Sequence, residues 1–267
     1  MEQRPRIIVS MTSYPARIKN VPRAIFAFLR TQTVTPDEIH LWLAEPEFPN
    51  KNNDLPKELR AMDATINKLH IHWLPKNTFA HKKHEYFKIG LPSDCVFLVD
   101  DDVFYAPNLI ETVIGTHKKY PNAIIGYNLY SQHIYRGIKI VYNDPPGPWD
   151  RPRFDTRLCT QCMIPCNIYP KDALSDENQA IRDDICPVCD ETWLNPFIVR
   201  DQIPIYHHNY SWGIDISKDV NHERGLCVYT HQTESNGNER RDNWLYAVLS
   251  HYPDMFKIYQ EKFGYGR

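Results

Sequence analysis

Short apolar runs closed by polar turn residues recur along the first half of the chain. Arg6–Met11, Glu38–Leu43, Leu69–Leu74, Val96–Val99 and Ala123–Asn128 read as strands. Between them the apolar positions fall at helical spacing. Pro22 opens a helix whose Ala24, Ile25, Phe28 and Leu29 share one face, Pro56–Met62 forms a short helix, and Pro107–Tyr120 is helical by pattern. Strands that alternate with helices predict an α/β fold with a mostly parallel central sheet.

The second half is less regular. Tyr142–Phe154 is too proline-rich for a regular element, and its Trp149 suits either a lid that stacks on a sugar or plain packing. Helices are expected from Asp190 to Arg200, from Arg241 through Leu249, and over Met255–Phe263. The chain shows no internal repeat, so it is expected to be one domain over residues 1–267, with a regular half, 1–130, and an irregular half, 131–267.

With 267 residues and 42% hydrophobic composition, the chain is long and apolar enough for a full core, which excludes a disordered protein. The net charge is −2, with Lys and Arg scattered, which argues against a nucleic-acid surface. No apolar run approaches the ~18 residues of a membrane span, and Met1–Arg6 leads into a strand with no signal-peptide core. A cytoplasmic protein without a transmembrane segment is expected. Its seven cysteines are then thiols or metal ligands and not a disulfide framework.

Chemistry concentrates where Val96–Val99 stops on Asp100, Asp101 and Asp102. Adjacent carboxylates repel one another unless a cation or donors neutralise them, and strand C-termini are where open α/β sheets bind ligands. Asp100 and Asp102 are spaced to share one hard divalent cation that also carries phosphate oxygens. The plainer alternative is a solvated turn in which one carboxylate caps the helix near Pro107. After the first strand, Thr12, Ser13 and Arg17 offer donors to a base, ribose or phosphate, although Thr12 and Ser13 also suit a simple turn. His81–Lys88 is expected to be a helix that brings cations towards the carboxylates, with at least two of its three lysines on a solvated face.

Two further clusters follow. Cys159, Cys162, Cys186 and Cys189 form paired CxxC units that suit one structural Zn2+, or four small core residues. Asp190-Glu191 opens a helix, either as a second acidic centre or with Asp190 as an ordinary N-cap. His207, His208 and His231 lie in polar stretches and are surface residues unless one completes a metal shell.

A βαβ half that ends on an Asp-x-Asp strand, followed by an irregular half with an acidic pair, resembles the GT-A glycosyltransferases, in particular the family-2-like enzymes of bacterial surface polysaccharide synthesis. The motifs are Val9–Arg17, His81-Lys82-Lys83, Leu98–Tyr105, Tyr169-Pro170 and Asp190-Glu191-Thr192-Trp193, which track most of the first 200 residues. The resemblance implies an inverting hexosyltransferase that uses Mn2+ or Mg2+ to move a sugar from a nucleotide sugar, a UDP-sugar, to a glycan or lipid-linked acceptor. It implies that Thr12, Ser13, Arg17 and Lys83 touch the nucleotide, that Asp100 and Asp101 hold ribose and phosphates, and that Asp102, with Asp100, holds the metal. The base is Glu191 or Asp190, with Glu191 favoured because the second acidic position of that motif usually carries it. The half 1–130 then binds the nucleotide sugar and 131–267 faces the acceptor. A lipid-linked acceptor implies peripheral contact at the inner membrane face.

Two rivals explain parts of the pattern. A haloacid-dehalogenase-like phosphatase would use Asp100 as its aspartyl nucleophile, but that nucleophile usually ends the first strand of its domain, and three strand patterns precede this one. A non-enzymatic zinc-binding interaction module would account for the cysteines and leave both acidic centres without a role.

Overall fold

The computed structural model describes residues 4–127, 130–135, 139–143, 150–154, 156–157, 161–208, 213–215 and 239–263. The expected Trp149 lid, Cys159 and His231 lie outside them.

The fold is α/β, built on a seven-stranded mixed sheet in the order β11-β6-β10-β4-β1-β2-β3. Its strands are β1 (Arg6–Thr12), β2 (Glu38–Ala44), β3 (Leu69–Leu74), β4 (Asp94–Val99), β6 (Ile124–Tyr127), β10 (Gln161–Pro165) and β11 (Ile205–His207), while β7 (Tyr130–Tyr135), β8 (Lys139–Asn143) and β9 (Thr156–Arg157) pair in a separate sheet. Pairings β4-β1, β1-β2, β2-β3 and β6-β11 are parallel, whereas β10 runs antiparallel between β4 and β6. Strand alternation sends successive side chains to opposite faces and so builds two cores. Ile7, Val9, Met11, Phe97 and Val99 face one way, onto α1 (Val21–Phe26), α2 (Lys57–Thr65) and α3 (Leu109–Lys119) through Ile25, Leu59 and Ile110. Ile8, Val96, Leu98, Cys162 and Ile164 face the other way, with Trp193, Phe197, Leu245, Val248 and Tyr259. These last belong to α5 (Asp190–Arg200), α6 (Glu239–His251) and α7 (Pro253–Phe263). Alternation in two registers thus gives a sheet with helices on both sides.

The predicted strands of the first half agree with the observed ones to within two residues, and the helix expected over Pro107–Tyr120 occupies Leu109–Lys119. Three differences bear on the site. β10 carries Cys162, for which zinc ligation and core packing were both open, and is a buried strand, with Cys162 and Ile164 on one face and Met163 on the other. A second helix, α4 (Asp176–Ile185), follows it, capped by Ser175, whose Oγ accepts from the Asn178 amide at 3.2 Å. Immediately beyond the carboxylates a short β5 (Val103–Tyr105) pairs antiparallel with β12 (Gly213–Asp215).

His81–Lys88 is not a solvated α-helix. Phe79–Lys88 forms a 3-10 helix laid over the sheet, and His81, Lys82, Lys83 and His84 are all buried in it. The expectation of two solvated lysines there is therefore corrected: Lys82 Nζ bonds Asn77 at 2.8 Å and Glu47 at 3.2 Å, Lys83 pairs inward, and only Lys88 reaches the surface. Polar anchors hold the segment down. Ser10 Oγ donates to the Lys83 carbonyl at 2.6 Å, and Tyr86 donates to Asp94 Oδ2 at 2.7 Å. Among the described residues, no helix is long and apolar enough to cross a membrane.

Candidate active site

β1 and β4 are parallel neighbours, with Met11 opposite Val99, so the turns that follow them meet at one sheet edge. This register brings Ser13 and Arg17 to the Asp triplet. Ser13 Oγ donates to Asp101 Oδ2 at 2.5 Å, and the Arg17 guanidinium lies 3.1 Å from Asp101 Oδ1 and also contacts Asp102 Oδ2. Thr12 does not join them, because its hydroxyl donates to the Trp42 carbonyl at 2.8 Å.

The 3-10 helix supplies the second cation. Lys83 Nζ, with a side chain only 2% exposed, lies 3.2 Å from Asp100 Oδ1 and 3.2 Å from Asp190 Oδ2. Asp190 also accepts from His84 Nε2 at 2.9 Å, and Tyr169 Oη lies 3.2 Å from His84 Nδ1. A continuous polar chain therefore runs Asp100, Lys83, Asp190, His84, Tyr169. Asp190 does not cap α5: Cys189 occupies the cap position without a side-chain capping bond, and the Asp190 carboxylate turns to Lys83 and His84 instead. Glu191, also buried, accepts from the Cys189 thiol at 3.1 Å.

Electrostatics separates these carboxylates. Burial pushes Asp101 up to about 7, against the pull of Arg17 and Ser13. Burial likewise raises Asp100 to about 6, against Lys83, with Asp102 and Asp190 adding to the rise. Asp190 moves the other way: although buried, it is held well below the usual carboxylate range by Lys83 and His84. Burial depresses Lys83, but Asp100, Asp190 and Glu191 together hold it well above its ordinary value. The site thus presents two fixed cations, the carboxylates that bind them, and side chains of Asp100 and Asp102 that are 26% and 20% exposed. Carboxylate oxygens suit a hard cation.

The cysteines are arranged differently from the expected zinc set. The Cys186 thiol donates to the Cys189 carbonyl at 3.4 Å, Cys189 bonds Glu191, and Cys162 packs in the sheet core. Among the described residues, no group of three metal-ligand atoms includes a cysteine. Burial raises the Cys162 and Cys186 thiols above their ordinary range. His207 is buried in β11 rather than set in a polar loop.

Sequence reasoning missed His84, Tyr169 as its partner, and Tyr105, whose hydroxyl accepts from the Asp100 amide at 2.7 Å. A histidine beside two lysines carries no local signal of burial; only its distance from Asp190 reveals a role. When the chain is compared with protein-family models and with curated proteins, neither comparison finds a match.

Proposed function

We propose that the protein is a metal-dependent inverting glycosyltransferase of GT-A fold, family-2-like, that moves a hexose from a UDP-sugar to a glycan or lipid-linked acceptor in polysaccharide synthesis. One observation carries this reading: Lys83 joins the carboxylates that end β4 to the acidic pair that opens α5, while Arg17 holds Asp101 and Asp102. A donor diphosphate needs cationic groups on the leaving side, and an acceptor hydroxyl needs a carboxylate on the other.

Mn2+ or Mg2+ fits the donor set, with Asp102 and Asp100 as the residues to hold it. When bound, such an ion supplies Lewis-acid neutralisation of the departing diphosphate. The chain's own groups do the rest. Arg17 keeps its fork on Asp101 and Asp102 and offers charge to phosphate oxygens, while Lys83 holds Asp190 ionised and opposes the rise at Asp100. Glu191 accepts the proton of the attacking hydroxyl. Asp190 is a poor base, since a carboxylate held well below its usual range binds protons weakly, and it positions Lys83 and His84. The aspartyl-phosphatase alternative, built on Asp100, leaves Asp190 and Glu191 without a role.

Calorimetry with UDP and Mn2+ tests the proposal. Wild-type protein should bind UDP with an affinity that depends on the metal, and folded Asp102→Asn should lose that dependence. Unchanged metal-dependent affinity in the folded variant would sink it.

A further inference from the structure

At the opposite end of the sheet, the strands β2 and β3 carry a polar group on a face that is otherwise packed. Glu38 and His40 lie on β2 and His70 lies opposite His40 on the edge strand β3, so all three point to one side. Glu38 is the first residue of β2, whereas the Asp triplet follows the last residue of the parallel β4, so the two clusters sit at opposite ends of the sheet.

We propose that Glu38, His40 and His70 form a second metal site, for a zinc-type ion, which clips the edge strand β3 to β2. One ligand atom from each residue lies within 4.8 Å of the other two. His40 Nε2 is already 3.0 Å from Glu38 Oε2, near the roughly 3.4 Å that separates ligands of a tetrahedral ion with bonds of about 2.0–2.2 Å. The site is accessible, since Glu38 and His70 are only half-buried while His40 is buried beneath them.

The surroundings suit a metal better than a bare hydrogen-bond cluster. An imidazole that ligates through Nε2 must carry its proton on Nδ1 and usually gives it to an acceptor that fixes the ring. His72 Nε2 lies 2.8 Å from His40 Nδ1 and fills that place, and His72 is itself held by stacking on Trp42, with ring centroids 3.9 Å apart. Arg6 occupies the far oxygen of Glu38, Oε1, at 2.6 Å, which leaves Oε2 directed at His40. Two imidazoles and one carboxylate select zinc and its neighbours over Mg2+ or Ca2+, which prefer oxygen, and three protein ligands leave a fourth position to solvent.

The test is zinc titration by calorimetry on the full chain in excess Mg2+, so that the Asp triplet is occupied, with melting curves to verify that each variant folds. Wild-type protein should bind one zinc ion per chain at this site and melt higher with it. His70→Ala and Glu38→Gln should each weaken that affinity at least ~10-fold, and His72→Phe, which keeps the stack but not the acceptor, by about 10–100-fold. Asp102→Asn should leave it unchanged. The proposal is overturned if wild type binds no zinc, if folded His70→Ala and Glu38→Gln bind it as wild type does, or if Asp102→Asn abolishes the binding.

Discussion

Lys83 Nζ lies 3.2 Å from Asp190 Oδ2, across 107 positions of sequence, and this contact ties the 3-10 helix to the start of α5. Both side chains are almost fully buried, at 2% and 4% exposure. Two buried opposite charges pay a large desolvation penalty, and removal of one leaves the other short of a partner.

Asp190→Asn should therefore destabilise the fold by about 3–5 kcal/mol, the range for breaking a buried pair, with the remaining Asp100 contact keeping the loss towards the lower end. Urea denaturation measures it. The variant Lys83→Met combined with Asp190→Asn should be less destabilised than the sum of the two single changes. Additive losses would mean that the two charges do not support each other.

Stability should also carry a pH signature from Asp101. Its carboxyl is raised from an ordinary 3.8 to about 7 in the folded chain, chiefly by burial. The folded state then binds that proton more tightly than the unfolded state does. Its contribution is full below about pH 3.8 and is lost as pH rises through about 7. Asp190, lowered in the fold, acts in the opposite sense and loses its contribution as pH falls below the usual carboxylate range. Asp101→Asn removes the first effect, so its stability relative to wild type should improve between about pH 5 and about pH 8, by up to roughly 1.4 kcal/mol per unit below pH 7. Equal slopes in the two proteins would show that Asp101 does not titrate in that window.

The sheet was legible because a strand covered on both faces must be apolar along most of its length, and Val96–Val99 and Ile7–Val9 show that directly. The acidic centres were legible because three carboxylates in a row demand neutralisation. What was not legible is who neutralises them. Lys82 and Lys83 look like surface lysines by every local criterion, and their burial depends on Glu47, Asn77, Asp100 and Asp190, which are scattered through the chain. β10 was hidden for another reason: Cys162 belongs to a CxxC pair that also fits metal spacing, although Cys162, Met163 and Ile164 alternate between the two cores. Helix α4 had a readable start in Ser175 followed by Asp176 and Glu177, but few apolar residues to confirm it.

Gly213 offers a test of how firmly the Asp triplet is held from its far side. It pairs with Tyr105 across β12 and β5, and a Cβ there would run into the Phe104 carbonyl. β5 begins at Val103, the residue after Asp102, so Gly213→Ala should push that strand and with it the carboxylate proposed to hold metal. The strain should cost about 1–3 kcal/mol. Mn2+-dependent UDP affinity should fall in the folded variant while Zn2+ affinity at the other end of the sheet stays the same. Unaltered UDP affinity would mean that β5 does not set the position of Asp102.

The assignment of the base rests on the different company kept by Asp190 and Glu191. Asp190 is held by a lysine and a histidine, and that pairing holds it ionised and weakly basic. Glu191 accepts on its Oε2 from the Cys189 thiol, at 3.1 Å, a weak donor that an acceptor hydroxyl can replace. Loss of a general base lowers turnover by roughly 10²–10⁴-fold and leaves donor binding nearly intact. Glu191→Gln should behave in this way: folded, normal in UDP and Mn2+ affinity, and slow with every acceptor. Asp190→Asn should instead weaken donor binding and stability together, because it releases Lys83 from one of its two carboxylates. Steady-state kinetics and calorimetry on the two variants, run at equal folded fraction, separate the roles. If Glu191→Gln turns over at a near-normal rate while Asp190→Asn keeps its donor affinity and loses turnover, the base is Asp190 and the pairing with Lys83 and His84 tunes it instead of silencing it.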